Sequence, residues 1–187
     1  MSFDEVQRIF EAEWRSAGFE DDYQEGEYKK DGIEQLRAFH ASMLAAPPQV
    51  LEQEKPFELP LENNVIIAGR MDQVNALDKN DVEIVDFKTG KPKKDLDAKR
   101  DLQLSIYALA AKEIFEWNPV RLVFHYLQNN QIQVTTRDVK QLDEAQKIVQ
   151  ETAADIRAGE FPTKEGFVCK SCAYKPICPA FEEALSN

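Results

Sequence analysis

Two aspartates and a lysine are the side chains of this sequence best placed by type and spacing to do chemistry. The run Val82-Glu83-Ile84-Val85-Asp86-Phe87-Lys88 has the composition of a strand. Side chains alternate faces along a strand, so Asp86 and Lys88 point the same way, while Val85 and Phe87 are expected to point the other way into the core. Upstream, Ile67-Ala68-Gly69-Arg70-Met71-Asp72-Gln73-Val74 reads as a second strand, and Asp78-Lys79-Asn80-Asp81 between the two has hairpin-turn composition. Antiparallel pairing then brings Asp72 roughly across from Asp86. Two carboxylates that close repel each other unless a cation lies between them, and oxygen ligands of this kind suit Mg²⁺ or Mn²⁺. A lysine beside such a cation would orient or activate a water, or stabilise charge developing on a phosphate. The competing reading is a surface salt bridge at a strand end, and Asp-x-Lys alone does not separate the two.

The elements that must position these groups are legible from apolar spacing. Phe3 to about Ala17 carries apolar residues at helical intervals, and a second helix is expected from about Tyr28 to Ala46, ended by Pro47-Pro48. Val50 to Leu61 has Phe57, Leu59 and Leu61 in alternation, so with Val65 to Val74 and Val82 to Phe87 a three-stranded meander is expected. Ala98 to Phe115 is the clearest helix. Arg121 to Leu127 and Ile132 to Thr136 read as two more strands, and Asp143 to Arg157 as a last helix. This is an α/β chain, a mixed sheet flanked by helices. It is expected to be a single domain over 1–187, with N-terminal helices in 1–48, the core in 49–160 and a cysteine-containing tail in 161–187.

Bulk properties narrow the classes. A length of 187 residues suits one domain with a real core. Hydrophobic residues at 43% and charged residues at 30% argue for a globular chain rather than a disordered one. The net charge of −11 repels nucleic acid overall, so such a partner has to be met through a local basic patch, with metal screening, or be delivered by another domain. No stretch is long and apolar enough to span a membrane. The start, Met1-Ser2-Phe3-Asp4-Glu5, lacks the basic and apolar runs of a secretory signal. The expected location is the cytoplasm, where the three cysteines are reduced thiols or metal ligands.

Taken in series, Gly69-Arg70-Met71-Asp72, Ile84-Val85-Asp86-Phe87-Lys88-Thr89-Gly90-Lys91 and Asp101-Leu102-Gln103-Leu104-Ser105-Ile106-Tyr107 resemble the serial motifs of the PD-(D/E)XK nucleases. The similarity runs from roughly Val50 to Pro179 and is greatest to the RecB-like branch, which includes the AddAB and CRISPR-associated adaptation nucleases. The resemblance implies a restriction-endonuclease-like core and a Mg²⁺- or Mn²⁺-dependent deoxyribonuclease. It further implies an exonuclease serving DNA repair or recombination as the C-terminal module of an ATP-dependent helicase. By the same resemblance Asp72, Asp86 and the backbone carbonyl of Phe87 hold the metal, and Lys88 serves the attacking water. Gln103 and Tyr107 match the Q-x-x-x-Y motif. Residues four apart share a helix face, so both are able to face the substrate edge of the sheet; the plain alternative is a polar helix-face pair with Tyr107 half in the core. Glu54 fits the acidic residue of the preceding strand, with Glu52 as its alternative. Lys91, Lys93 and Lys94, with Lys99 and Arg100 soon after, form the strongest basic cluster and are expected to meet DNA phosphates, or else to be a solvated loop.

Two departures shape the remaining expectations. RecB-like nucleases place a histidine at the metal from an upstream helix. Here only His40 and His125 occur, neither in a Gly-x-x-x-His context, and His125 on a strand reads as structural. The chain is therefore expected to be a fragment of a longer protein. Cys169, Cys172 and Cys178 resemble the C-terminal half of an iron–sulfur staple, but a [4Fe-4S] cluster wants four thiolates. A cluster is then a property of a longer parent chain. For this chain three reduced thiols is the preferred reading, with zinc and a non-cysteine fourth ligand as the other. The implied partners are DNA, single-stranded in the main, and a helicase motor domain or partner chain, with no membrane. The alternative function is a catalytically inactive DNA-binding or scaffolding module of the same fold.

Overall fold

The computed structural model describes residues 1–90 and 96–182. Its centre is a five-stranded sheet in the order β1 (Val50–Leu61), β2 (Val65–Asp78), β3 (Asp81–Lys88), β4 (Asn118–Tyr126) and β5 (Gln131–Thr135). The first three strands form the antiparallel meander that the spacing predicts, β3 and β4 run parallel, and β5 returns antiparallel to β4. A parallel step cannot be closed by a tight turn and needs a long crossover. Here α3 (Leu96–Arg100) and α4 (Leu102–Phe115) lie in it. Helices α1 (Phe3–Glu13) and α2 (Asp22–Ala45) precede the sheet, α5 (Val139–Ala158) follows it, and the tail has 3-10 turns at Phe167–Ser171 and Lys175–Ile177 and a short α6 (Pro179–Glu182). The class is the expected one, a mixed sheet with flanking helices. Among the described residues no helix is long and apolar enough to cross a membrane.

The chain divides into two compact units, Met1–Gln146 and Lys147–Asn187. The whole sheet and α1 to α4 belong to the first. The second holds the rest of α5 and the cysteine-containing tail.

α1 ends at Glu13 rather than about Ala17, where Trp14 turns extended, and three helix starts differ from the sequence reading, each because of a side-chain cap. α2 begins at Asp22 rather than Tyr28, since Asp21 accepts a 2.7 Å hydrogen bond from the Gln24 amide. α5 begins at Val139 rather than Asp143, since Asp138 and Gln141 exchange hydrogen bonds between side chain and backbone. The helix expected over Ala98 to Phe115 is broken at Asp101, which is extended (φ −68°, ψ 127°) and caps α4 by accepting from the Leu104 amide at 2.9 Å.

The main core fills the sheet face under α4, with Phe57, Met71, Ile84, Leu104 and Leu122 all at or below 5% exposure. Val82 and Ile84 of β3 point into it, and Asp86 and Lys88 continue along that same face. This corrects the expectation that Val85 and Phe87 face the core. Phe87 lies on the opposite face, edge-on to Phe39 of α2 at 5.6 Å and tilted against His125 of β4 at 5.7 Å. Both faces of the central strands are covered, so alternation by itself does not say which side holds the larger core.

Along β2 the alternation slips. Met71 and Val74, three residues apart, both belong to the main core, so Asp72 and Gln73 span a break in the pleat. On the neighbouring strand Glu54 adopts a left-handed conformation (φ 49°) between the pairs Gln53↔Gln73 and Lys55↔Met71. The slip lets Asp72 turn toward β3.

Gly69 of β2 is needed for space. A Cβ there would lie 2.5 Å from Cζ of Phe57, a ring 5% exposed that packs edge-on against Tyr107. The ring has no free direction to yield. Gly69→Ala is expected to destabilise the fold by about 1–3 kcal/mol, read by urea unfolding, and an unchanged midpoint would contradict the packing described.

Candidate active site

Asp86 stands at the C-terminal end of β3 and is only 2% exposed. Its parallel neighbour on β4 is Phe124. Burial in this apolar wall pushes its carboxyl above the usual range. The Lys88 ammonium opposes that shift, and the nearby Asp72 and Asp101 charges add to it. Lys88 Nζ lies 2.7 Å from Asp86 Oδ2, but it approaches off the hydrogen-bonding direction. Asp86 Oδ2 is thus a buried oxygen in an ion pair, with no directional hydrogen bond from any described residue. The ion pair offsets part of the cost of burying this carboxylate, and a poorly aligned donor leaves the rest.

Lys88 is aimed from the other side by α4. Its Nζ donates to Gln103 Oε1 at 2.8 Å, Gln103 Nε2 donates to Tyr107 Oη at 2.8 Å, and the ammonium lies 4.8 Å from the centre of the Phe124 ring. Gln103 and Tyr107, one turn apart, act as a relay that fixes the lysine. Tyr107 is 6% exposed. Burial raises its pKa above the ordinary phenol value, Gln103 opposes the shift, and the Asp86, Asp72 and Asp101 charges reinforce it. The hydroxyl stays protonated at working pH.

Asp72 closes the cluster from β2. Extending the register Gln73↔Val85 by one residue sets it opposite Asp86. Its Oδ2 accepts from the Phe87 amide at 2.8 Å, so a side chain takes the place of a ladder carbonyl and draws the carboxylate to the end of β3. The structure therefore brings together Asp72, Asp86, Lys88, Gln103 and Tyr107, with the Phe87 backbone beside them.

Other expected site residues fall elsewhere. The Glu54 side chain is 66% exposed and meets Arg70 at 3.5 Å. Glu52 pairs with Lys55 at 2.7 Å. Lys99 and Arg100 are exposed at the end of α3, while Lys91, Lys93 and Lys94 lie outside the described residues. His125 is buried on the opposite sheet face with Nε2 2.6 Å from Asn130 Oδ1, and His40 Nε2 lies 3.1 Å from the Met1 carbonyl. Cys169, Cys172 and Cys178 are free thiols in the second unit. Three thiolates do not complete a four-iron cluster.

The donor set bears on a divalent metal. Among the described residues no three His, Cys, Asp or Glu side chains gather at ligand spacing. Mg²⁺ keeps several waters and needs only one or two carboxylates. Asp72 and the buried Asp86 carboxylate, oxygen donors brought to the end of β3, are a set of that kind.

Two residues that the sequence reading did not place in the site shape it. Asp101 caps α4 two residues before Gln103, and a capping signal was present in its type and position. Arg137, just after β5, reaches the same corner with five hydrogen bonds. Its partners around the α3–α4 break are distant in sequence, so no local pattern announces it.

The model of one family, the PD-(D/E)XK nuclease superfamily, matches residues 2–179. A solved structure described as the crystal structure of SSO0001 is 18% identical over 95% of this chain and 94% of that chain, with a TM-score of 0.48. No curated protein matches.

Proposed function

The chain belongs to the PD-(D/E)XK nuclease superfamily, and from that premise we propose that it hydrolyses DNA phosphodiester bonds at Asp72, Asp86 and Lys88. The observation that carries this reading is a buried Asp86 carboxylate paired at 2.7 Å with a lysine that Gln103 and Tyr107 aim. A surface salt bridge needs neither burial nor a relay.

Asp72 and Asp86 would hold Mg²⁺ or Mn²⁺ together with the Phe87 carbonyl. Such a cation polarises a phosphate and lowers the pKa of a water bound to it. Lys88 supplies a fixed positive charge where charge develops on the phosphoryl oxygens, and it orients the attacking water. Gln103, itself held by Tyr107, shares the ammonium with Asp86 and fixes its direction. Glu54, displaced onto Arg70, takes an outer place at most, through the strand that carries Asp72.

In its finer form the reading is a RecB-like exonuclease module of a cytoplasmic helicase–nuclease serving DNA repair or recombination. Two features support it: the wording of the motif series, and a net charge of −11 that makes unaided capture of DNA unfavourable. A motor domain or partner chain threading a single strand past Lys91, Lys93, Lys94 and Arg100 removes that difficulty. The delivery idea is contradicted if the isolated chain binds single-stranded DNA tightly at physiological salt.

Calorimetric titration with Mn²⁺ tests the metal site directly. The wild-type chain is expected to take up the ion and Asp86→Ala to lose that uptake, with chelation stopping DNA cleavage. Equal uptake by both proteins, or cleavage that survives chelation, would sink the assignment. Lack of uptake by the wild type would favour the inactive scaffolding module instead.

A further inference from the structure

We propose that Arg137 is a positioning residue for Lys88, acting through the corner between α3 and α4; the inference rests on the hydrolase reading above. A guanidinium carries five N–H donors in a rigid plane, and here all five are used. Nε donates to Ser105 Oγ at 2.7 Å. One terminal nitrogen donates to Thr135 Oγ1 at 3.2 Å and the Thr136 carbonyl at 3.0 Å. The other donates to the carbonyls of Ala98 and Asp101 at 2.8 and 2.9 Å. Nothing is left over for a phosphate, so Arg137 is not a substrate-binding arginine.

The acceptors say what it holds. Ala98 lies in α3, Asp101 is the residue at which the helix breaks, and Ser105 is in the first turn of α4. Thr135 ends β5 and Thr136 follows it. Arg137 therefore ties the edge of the sheet to the start of the helix that carries Gln103 and Tyr107. The Asp101 carbonyl also accepts from Ser105 Oγ at 2.9 Å, so Ser105 is gripped from both sides. Two residues after Asp101, Gln103 meets Lys88 at 2.8 Å. A half-buried cation fits here because three of its partners are carbonyls, which leave none of its donors unmet. Short of five bonds in one plane, the corner is free to shift, and an error of about 1 Å at a reacting group costs on the order of 10²-fold in rate.

Arg137→Lys keeps the charge and loses the fork. Ser105→Ala removes only the Nε acceptor and is the milder variant. In the full chain, with Mn²⁺ and labelled DNA, both are expected to lower kcat with KM little changed, Arg137→Lys by about 10-fold or more. In a Gln103→Ala background the same substitutions are expected to have almost no further effect on kcat, because the relay they serve is gone. A purely structural arginine would lower the unfolding midpoint and leave kcat per folded molecule intact in either background. That result, or a full additional loss in the Gln103→Ala background, overturns the proposal. A second readout does not require cleavage. By NMR, the Gln103 side-chain amide signal is expected to shift and broaden in Ser105→Ala and Arg137→Lys, and an unmoved signal in both overturns the proposal. A wild-type chain that fails to cleave DNA while the Gln103 signal responds would instead defeat the hydrolase reading and leave the positioning role standing.

Discussion

Asp86→Asn is expected to abolish DNA cleavage, by at least about 10³-fold in kcat/KM, and yet to leave the protein as stable as the wild type, or more so, at neutral pH. The two halves have one cause. Asp86 is 2% exposed, its carboxyl is pushed upward chiefly by burial, and Oδ2 has no directional donor among the described residues. A raised folded-state pKa means that the native protein binds this proton more tightly than the unfolded chain does. Stability from this group is thus fully present below the ordinary carboxylate pKa. It is lost as pH rises through that value toward the raised folded one. Asparagine carries no charge to desolvate. Wild type and variant should match in acid, and the variant should draw level or ahead as pH rises, by urea unfolding at several pH values. Lys88 loses its partner in the variant but keeps Gln103 and is a third exposed, so little is lost there. An Asp86→Asn protein that is clearly less stable at neutral pH, or that still cleaves, would contradict the description of the site.

Lys88→Met should also end cleavage but with the opposite effect on stability. Removing the ammonium strands the buried Asp86 carboxylate, which must either protonate or remain unpaired. The expected cost is about 1–3 kcal/mol at neutral pH, shrinking toward zero in acid, where Asp86 is protonated in both proteins. Combining Asp86→Asn with Lys88→Met should return most of the lost stability without returning activity. Equal stability of Lys88→Met and wild type across the whole pH range would mean that the 2.7 Å ion pair contributes nothing. It would also remove the reason for reading Asp86 as charged in the site.

Much of the fold was legible because hydrophobic period and turn chemistry agree. The strand from Val50 to Leu61 begins and ends where expected, and the Asp78–Asp81 turn joins β2 to β3. Asp86 and Lys88 share a face because the pleat demands it. What stayed hidden depends on partners far along the chain or on small breaks in regularity. The direction of Phe87 is not legible because α2 covers the second face of the sheet with Phe39, and burial on both faces makes inward and outward indistinguishable from one strand. The slip between Met71 and Val74 has no compositional mark; its sign is the left-handed Glu54 on the adjacent strand. The break at Asp101 had a signal, an aspartate preceding an apolar run, but a continuous helical pattern on both sides masked it. Arg137 had none, since the α3–α4 residues it bonds lie 32 to 39 positions away.

The most direct test of the central claim is cleavage of end-labelled single-stranded and duplex DNA in Mn²⁺ by the wild-type chain and by Lys88→Ala. Degradation by the wild type that the substitution abolishes is the predicted result, and it places the chemistry at Asp72, Asp86 and Lys88. Degradation that persists at the wild-type rate in Lys88→Ala would contradict the account, because the activity would then belong to some other site.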